Sequence, residues 1–164
     1  MKTLAFALAA FAGLAATPVQ AQDKELTGEQ VSAMIRFAMP TLLETTYTKC
    51  GNRFAADGYM RSNRTALTAK FTAGSQAYWP AAKSGLESFA GDDAGLFGAM
   101  PDDALQPFVL AMIGQMVAKE IKPENCGTIE NIMRELDPMP ADNVARLIGT
   151  IYQAASNGKA PRRG

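Results

Sequence analysis

Cys50 and Cys126 are the only cysteines in this chain of 164 residues. Their pairing is the strongest single constraint on how the chain folds. A bridge between them closes a loop of 76 residues, worth about 4.5 kcal/mol in the chain-entropy treatment. A redox catalyst wants its two thiols close in sequence, as in Cys-x-x-Cys, and these are far apart. The spacing therefore predicts a structural disulfide, provided the chain reaches an oxidising compartment.

The first 21 residues supply such an address. Met1-Lys2-Thr3 is a short positive start, Leu4 to Ala16 is an apolar run, and Val19-Gln20-Ala21 fits a signal-peptidase site. This is the layout of a secretory leader. An uncleaved anchor is the alternative, but the run is shorter than the roughly 20 apolar residues that span a bilayer. The residue after Ala21 is Gln22 rather than cysteine, which argues against a lipid anchor there. The expected mature chain is one helical domain, residues 22–164. Its basic tail, 159–164, is expected to be mobile. The alanine-rich leader is of a bacterial kind, so the expected location is the periplasm or the medium.

Composition removes several chemistries. The chain carries 16 basic and 16 acidic residues, a balance that does not suit nucleic-acid binding. It has no histidine. That excludes Ser-His-Asp and Cys-His nucleophile systems and any His-ligated metal. No cofactor or metal is expected, and no membrane span after leader removal.

Hydrophobic periodicity is helical throughout, and no segment alternates as a strand does. Thr27-Gly28-Glu29-Gln30 reads as a capping box that opens a helix running to Cys50. Val31, Met34, Ile35, Ala38 and Leu42 form its expected buried stripe, and Pro40 is expected to kink or split it. A second helix is expected from Phe54 to Ala73. The glycine-rich stretch from Tyr78 to Pro101 reads as a short helix plus an ordered loop. Pro101-Asp102-Asp103 resembles a first helical turn. From Pro107 to Ile121, apolar residues cover most of the circumference, which places that helix inside the bundle. Cys126, Ile129, Met133 and Leu136 share one face of the next helix. Val144, Leu147, Ile148 and Ile151 stripe the last. The expected fold is all-α, a compact bundle of five or six helices.

Candidate binding residues come from two places. Lys49, Arg53, Arg61, Arg64 and Lys70 face only Asp57 in sequence, so Arg53, Arg61 and Arg64 are candidates for an anionic ligand or partner. The bland alternative is a solvated helix face. Tyr78 and Trp79, beside the glycine-rich segment, are candidates for a binding groove, against a core role for the lone Trp. The acidic set Glu87, Asp92, Asp93, Asp102 and Asp103 lacks calcium-loop spacing and suits capping and solubility. Met112 and Met116 read as core filler rather than copper ligands. Glu44, Glu87, Glu130 and Glu135 are carboxylates without a motif, and Lys83-Ser84 neighbour one another in sequence only. No catalytic residue is assigned.

The sequence reading is an exported, non-catalytic interaction or binding module. Its partner would be a protein, a peptide or an envelope component. Two alternatives stand beside it: a carboxylate-dependent hydrolase acting on cell-wall glycan, and a structural or stress accessory protein.

Overall fold

The computed structural model describes residues 26–91 and 94–159. The leader and Asp92-Asp93 lie outside that range, as does the tail beyond residue 159. Within it the protein is all-α. The helices are α1 (Gly28–Cys50), α2 (Tyr59–Ser62), α3 (Arg64–Thr72), α4 (Trp79–Ala90), α5 (Ala94–Ala99), α6 (Asp102–Glu120), α7 (Cys126–Leu136) and α8 (Ala141–Lys159), with short 3-10 turns before α4 and α7.

That is more than the five or six helices expected, for two local reasons. The expected second helix divides at Asn63 into α2 and α3, and starts only after the turn at Ala55–Gly58. The stretch from Tyr78 to Pro101 holds two helices rather than one helix and a loop. Gly91, at φ 56°, ends the first of these.

The helix boundaries follow local chemistry. Thr27 Oγ1 accepts the Gln30 N–H at 3.1 Å while Gln30 Oε1 accepts the Thr27 N–H at 2.9 Å, which is the predicted reciprocal cap. Pro40 does not split α1, which runs unbroken to Cys50. α6 likewise starts at Asp102 and passes through Pro107. Gly74, at φ 72°, makes the left-handed turn that stops α3, a conformation that penalises any Cβ.

The central helix is α1, not α6. α1 packs against α3, α4, α6 and α8. Its C-terminal half contributes Met39, Leu43, Tyr47 and Cys50 to a core with Met60, Leu67, Phe71, Cys126 and Val144. Its N-terminal half sends Phe37 into a second core with Trp79, Leu86, Leu105 and Val109. Of the five stripe residues expected on α1, only Ala38 is fully buried; the other four are half-buried. A helix surrounded by neighbours has no single inward face.

Cys50 and Cys126 are bonded to each other, with Cα atoms 5.5 Å apart. Both are buried. The bridge fastens the last residue of α1 to the first of α7, whose Ile129, Met133 and Leu136 then pack on the first core.

α8 lies antiparallel to α1 through small residues. A Cβ on Gly149 would stand 2.2 Å from the Gly28 carbonyl oxygen and 3.1 Å from the Ser32 Cβ. The Gly28 N–H donates to Gln153 Oε1 at 2.7 Å across the same contact. Ala141, Val144 and Ala145 are buried, whereas Leu147 and Ile151 of the expected stripe are exposed. Close approach of the backbones, rather than large side chains, sets this seam. Gly149→Ala is expected to lower the unfolding free energy by about 2 kcal/mol, because backbone must move to admit the methyl. The checks are urea unfolding and the parallel Gly95→Ala variant, where a Cβ meets nothing within 4 Å. Gly95→Ala should be neutral or slightly stabilising.

Candidate functional site

Arg53, Arg61 and Arg64 all stay exposed, but two of them are bonded to neighbouring groups. Arg61 donates to the Gly51 carbonyl at the end of α1. Arg64 pairs with Glu44 at 3.2 Å and lies over the Tyr47 ring at 4.7 Å. Lys70 donates to the Asp137 carbonyl and lies 3.2 Å from its carboxylate. Arg53 is exposed and has no ion-pair partner among the described residues. These groups tie α1 to α3, and α3 to the turn before α8, rather than gathering around one anion.

Tyr78 and Trp79 part company. Trp79 is buried, its ring 5.0 Å from that of Phe37. It has no face to offer a ligand. Its indole N–H makes no hydrogen bond of ordinary geometry. Tyr78 is half-buried beneath the Arg36 guanidinium, 5.4 Å from ring centre to charge.

Arg36 is a residue that the sequence reading passed over. It is 4% exposed. Its Nε lies 2.6 Å from Asp142 Oδ1, Nη1 donates to the Phe71 carbonyl at 2.8 Å, and Nη2 donates to the Ala73 carbonyl. One side chain on α1 thus fastens the end of α3 and the start of α8. Arg36 is also the only charged residue between Glu29 and Glu44, and that isolation in an apolar stretch is the signal that marks it. Arg36, Tyr78 and Asp142 line a groove of about 1090 Å³ along the α1–α8 seam, with Glu29, Ser32 and Arg146.

Three aspartates are held below the usual carboxylate range. For Asp142 the chief cause is the Arg36 hydrogen bond, with Tyr78 adding to it. For Asp137 it is the Tyr59 hydroxyl, then Lys70. For Asp102 it is the Lys83 hydrogen bond. Tyr59 in turn is pushed up to about 12, first by burial and then by Asp137. Depressed carboxyls stabilise the fold above their unfolded pKa, near 3.9, and that contribution is lost as pH falls through the folded values. A raised phenol stabilises below about pH 10 and loses its contribution as pH rises toward 12. No histidine titrates in between. Unfolding free energy is therefore expected to be flat from about pH 5.5 to 9 and to fall on both sides. Urea unfolding across pH 2–11 checks this. A slope between pH 6 and 8 would contradict it.

Two of the four candidate carboxylates and the candidate lysine are engaged elsewhere. Glu130 Oε1 accepts the Met60 N–H at 2.9 Å and so caps α2, and Glu44 is paired with Arg64. Lys83 lies 2.8 Å from Asp102, which raises its pKa. A Ser-Lys device needs a lysine that loses its proton readily, the opposite tendency. Among the described residues no cluster of acidic or cysteine side chains could hold a metal, and no helix is long and apolar enough to cross a membrane.

The chain matches no family model, no curated protein and no solved structure. Its own surface is the remaining guide.

The least expected surface lies on α6. Leu105 and Val109 face the second core, but Phe108 is 50% and Met116 60% exposed, with Met112 between them. Ala104, Ala111 and Gln115 are exposed beside them. No charge occurs from Ala104 to Ala118. At its C-terminal end the face runs into a trough of about 680 Å³, where Met116, Val117, Ile121 and Ile129 lie between α6 and α7. α6 is apolar all round because half of it packs inward and half is bare, not because it is enclosed.

Proposed function

We propose that the chain is an exported, non-catalytic interaction module whose working surface is the bare face of α6. The observation that carries this is the row Phe108, Met112, Met116, one turn apart and exposed in a stretch of α6 without charge. A soluble domain rarely leaves such a strip uncovered without a partner. Methionine suits it, since a flexible, polarisable side chain adapts to an incoming surface. The geometry fits a second helix laid along the face, with anchors at spacings of four. The leader-like residues 1–21 support export, and the Cys50–Cys126 bridge suits an oxidising destination.

The test is a photo-reactive benzophenone side chain placed at position 108 in cells that export the protein, with position 53 as the surface control. Position 108 should give a discrete adduct that position 53 does not. Absence of such an adduct, or the same products from both positions, would refute the reading.

A further inference from the structure

We infer that Met112 and Met116 are sites of reversible oxidation to the sulfoxide, and that this modification switches the α6 face from apolar to polar. The switch rests on the reading of that face as the working surface, whereas the two modification sites stand without it.

The distribution of oxidisable side chains singles out these two sulfurs. Cysteine and methionine are the groups that a mild oxidant converts, and exposure governs which ones react. Both cysteines are buried and bonded to each other. The chain has no histidine, and its one Trp, Trp79, is buried. Met39 and Met60 lie in the first core, and Met34, Met100, Met133 and Met139 are half-buried. Among the described residues only Met112 and Met116 are exposed methionines, at 37% and 60%. Four positions apart on α6, they share one face. An oxidant therefore meets two open thioethers, both within the charge-free stretch.

The reaction is a two-electron oxygen transfer from a hydroperoxide. With hydrogen peroxide the sulfur lone pair forms an S–O bond and the O–O bond breaks. The proton of the transferred oxygen leaves with the other oxygen as water. Sulfur is oxidised by two electrons and the peroxide is reduced by two. Enzymatic reduction restores the thioether. Neither residue belongs to either core, so the fold should accept the added oxygen. A docked apolar surface should not, because a buried sulfoxide oxygen needs a donor that such a surface lacks.

The first test treats the purified protein with dilute hydrogen peroxide and follows each methionine by peptide mass spectrometry. Met112 and Met116 should oxidise at least about tenfold faster than Met39 and Met60. The doubly oxidised protein should keep the parent's urea midpoint and elute earlier from a phenyl column. Core methionines that react as fast as Met116, or a lowered midpoint once the two sulfoxides are formed, would overturn the assignment. The second test adds peroxide to the exporting cells, where the position-108 adduct should fall roughly tenfold. The double variant Met112→Leu, Met116→Leu keeps an apolar face without sulfur and should retain the adduct. An adduct that survives with both sulfoxides formed, or one lost equally in the leucine variant, overturns the switch. If untreated cells give no adduct at position 108, the α6 reading fails and takes the switch with it. The oxidation rates of the purified protein then still decide the two sites.

Discussion

Replacing Cys50 and Cys126 together by alanine is expected to lower the unfolding free energy by about 4 kcal/mol. The bridge closes a loop of 76 residues that contains α2 through α6. Opening it returns to the unfolded chain the entropy that the cross-link had removed. A domain of this size has roughly 5–15 kcal/mol to lose, so the variant should be marginal. The loss should not be uniform. α7 packs on the first core through three half-buried side chains, and its first residue is Cys126 itself. Hydrogen exchange should therefore rise first at the start of α7, while α1 stays protected by its neighbours on several sides. Urea unfolding of the double variant against the oxidised parent gives the magnitude. A difference below about 1 kcal/mol would show that the open chain keeps the two ends together without the bond.

The disulfide was legible because its argument needs only two residues and a compartment. The same holds for the capping box at Thr27 and the inward face of α7, where spacing and local chemistry decide. What was not legible depends on neighbours. Phe108 to Val117 reads as a buried run, and the sequence carries no sign that one side of it lacks a covering helix. Apolar character all round is common to an enclosed helix and to a docking helix. On α8 the stripe Val144, Leu147, Ile148, Ile151 suggested one face. The closest contact is made instead by Gly149 against Gly28, small residues that add little to a hydrophobic pattern. Backbone proximity leaves a weak trace in periodicity.

Charged residues show the same division. Arg53, Arg61 and Arg64 crowd around Asp57 in sequence. In the fold, Arg61 turns to the Gly51 carbonyl and Arg64 to Glu44. Lys70 reaches Asp137, 67 positions away. Acceptors that far along the chain are invisible to spacing rules, which see only neighbours at three and four. Tyr78 and Trp79 stand together in sequence, yet adjacent helical residues point about 100° apart. One meets the groove beside Arg36 and the other the core.

Arg36→Met is the substitution that tests this buried polar junction, and it should cost about 3 kcal/mol. Methionine keeps much of the volume, so the loss comes from the acceptors left behind. Asp142 is 56% exposed and regains water when the guanidinium goes. The Phe71 carbonyl is in a buried bond, and it and the Ala73 carbonyl lose their donor together at the end of α3. Asp142→Asn should therefore cost much less than Arg36→Met, since it spares both carbonyl bonds. Arg36→Lys should fall between, because a single ammonium cannot reproduce a planar fork that reaches three acceptors in different directions. The expected order of stability is parent, Asp142→Asn, Arg36→Lys, Arg36→Met, measured by urea unfolding at pH 7. The acid limb of the stability curve adds a second readout. In Arg36→Met the chief cause of the depressed Asp142 pKa is gone, so the loss of stability below about pH 4 should be shallower than in the parent. A variant whose midpoint and acid limb both match the parent would show that Arg36 is packed in place without holding the helices together.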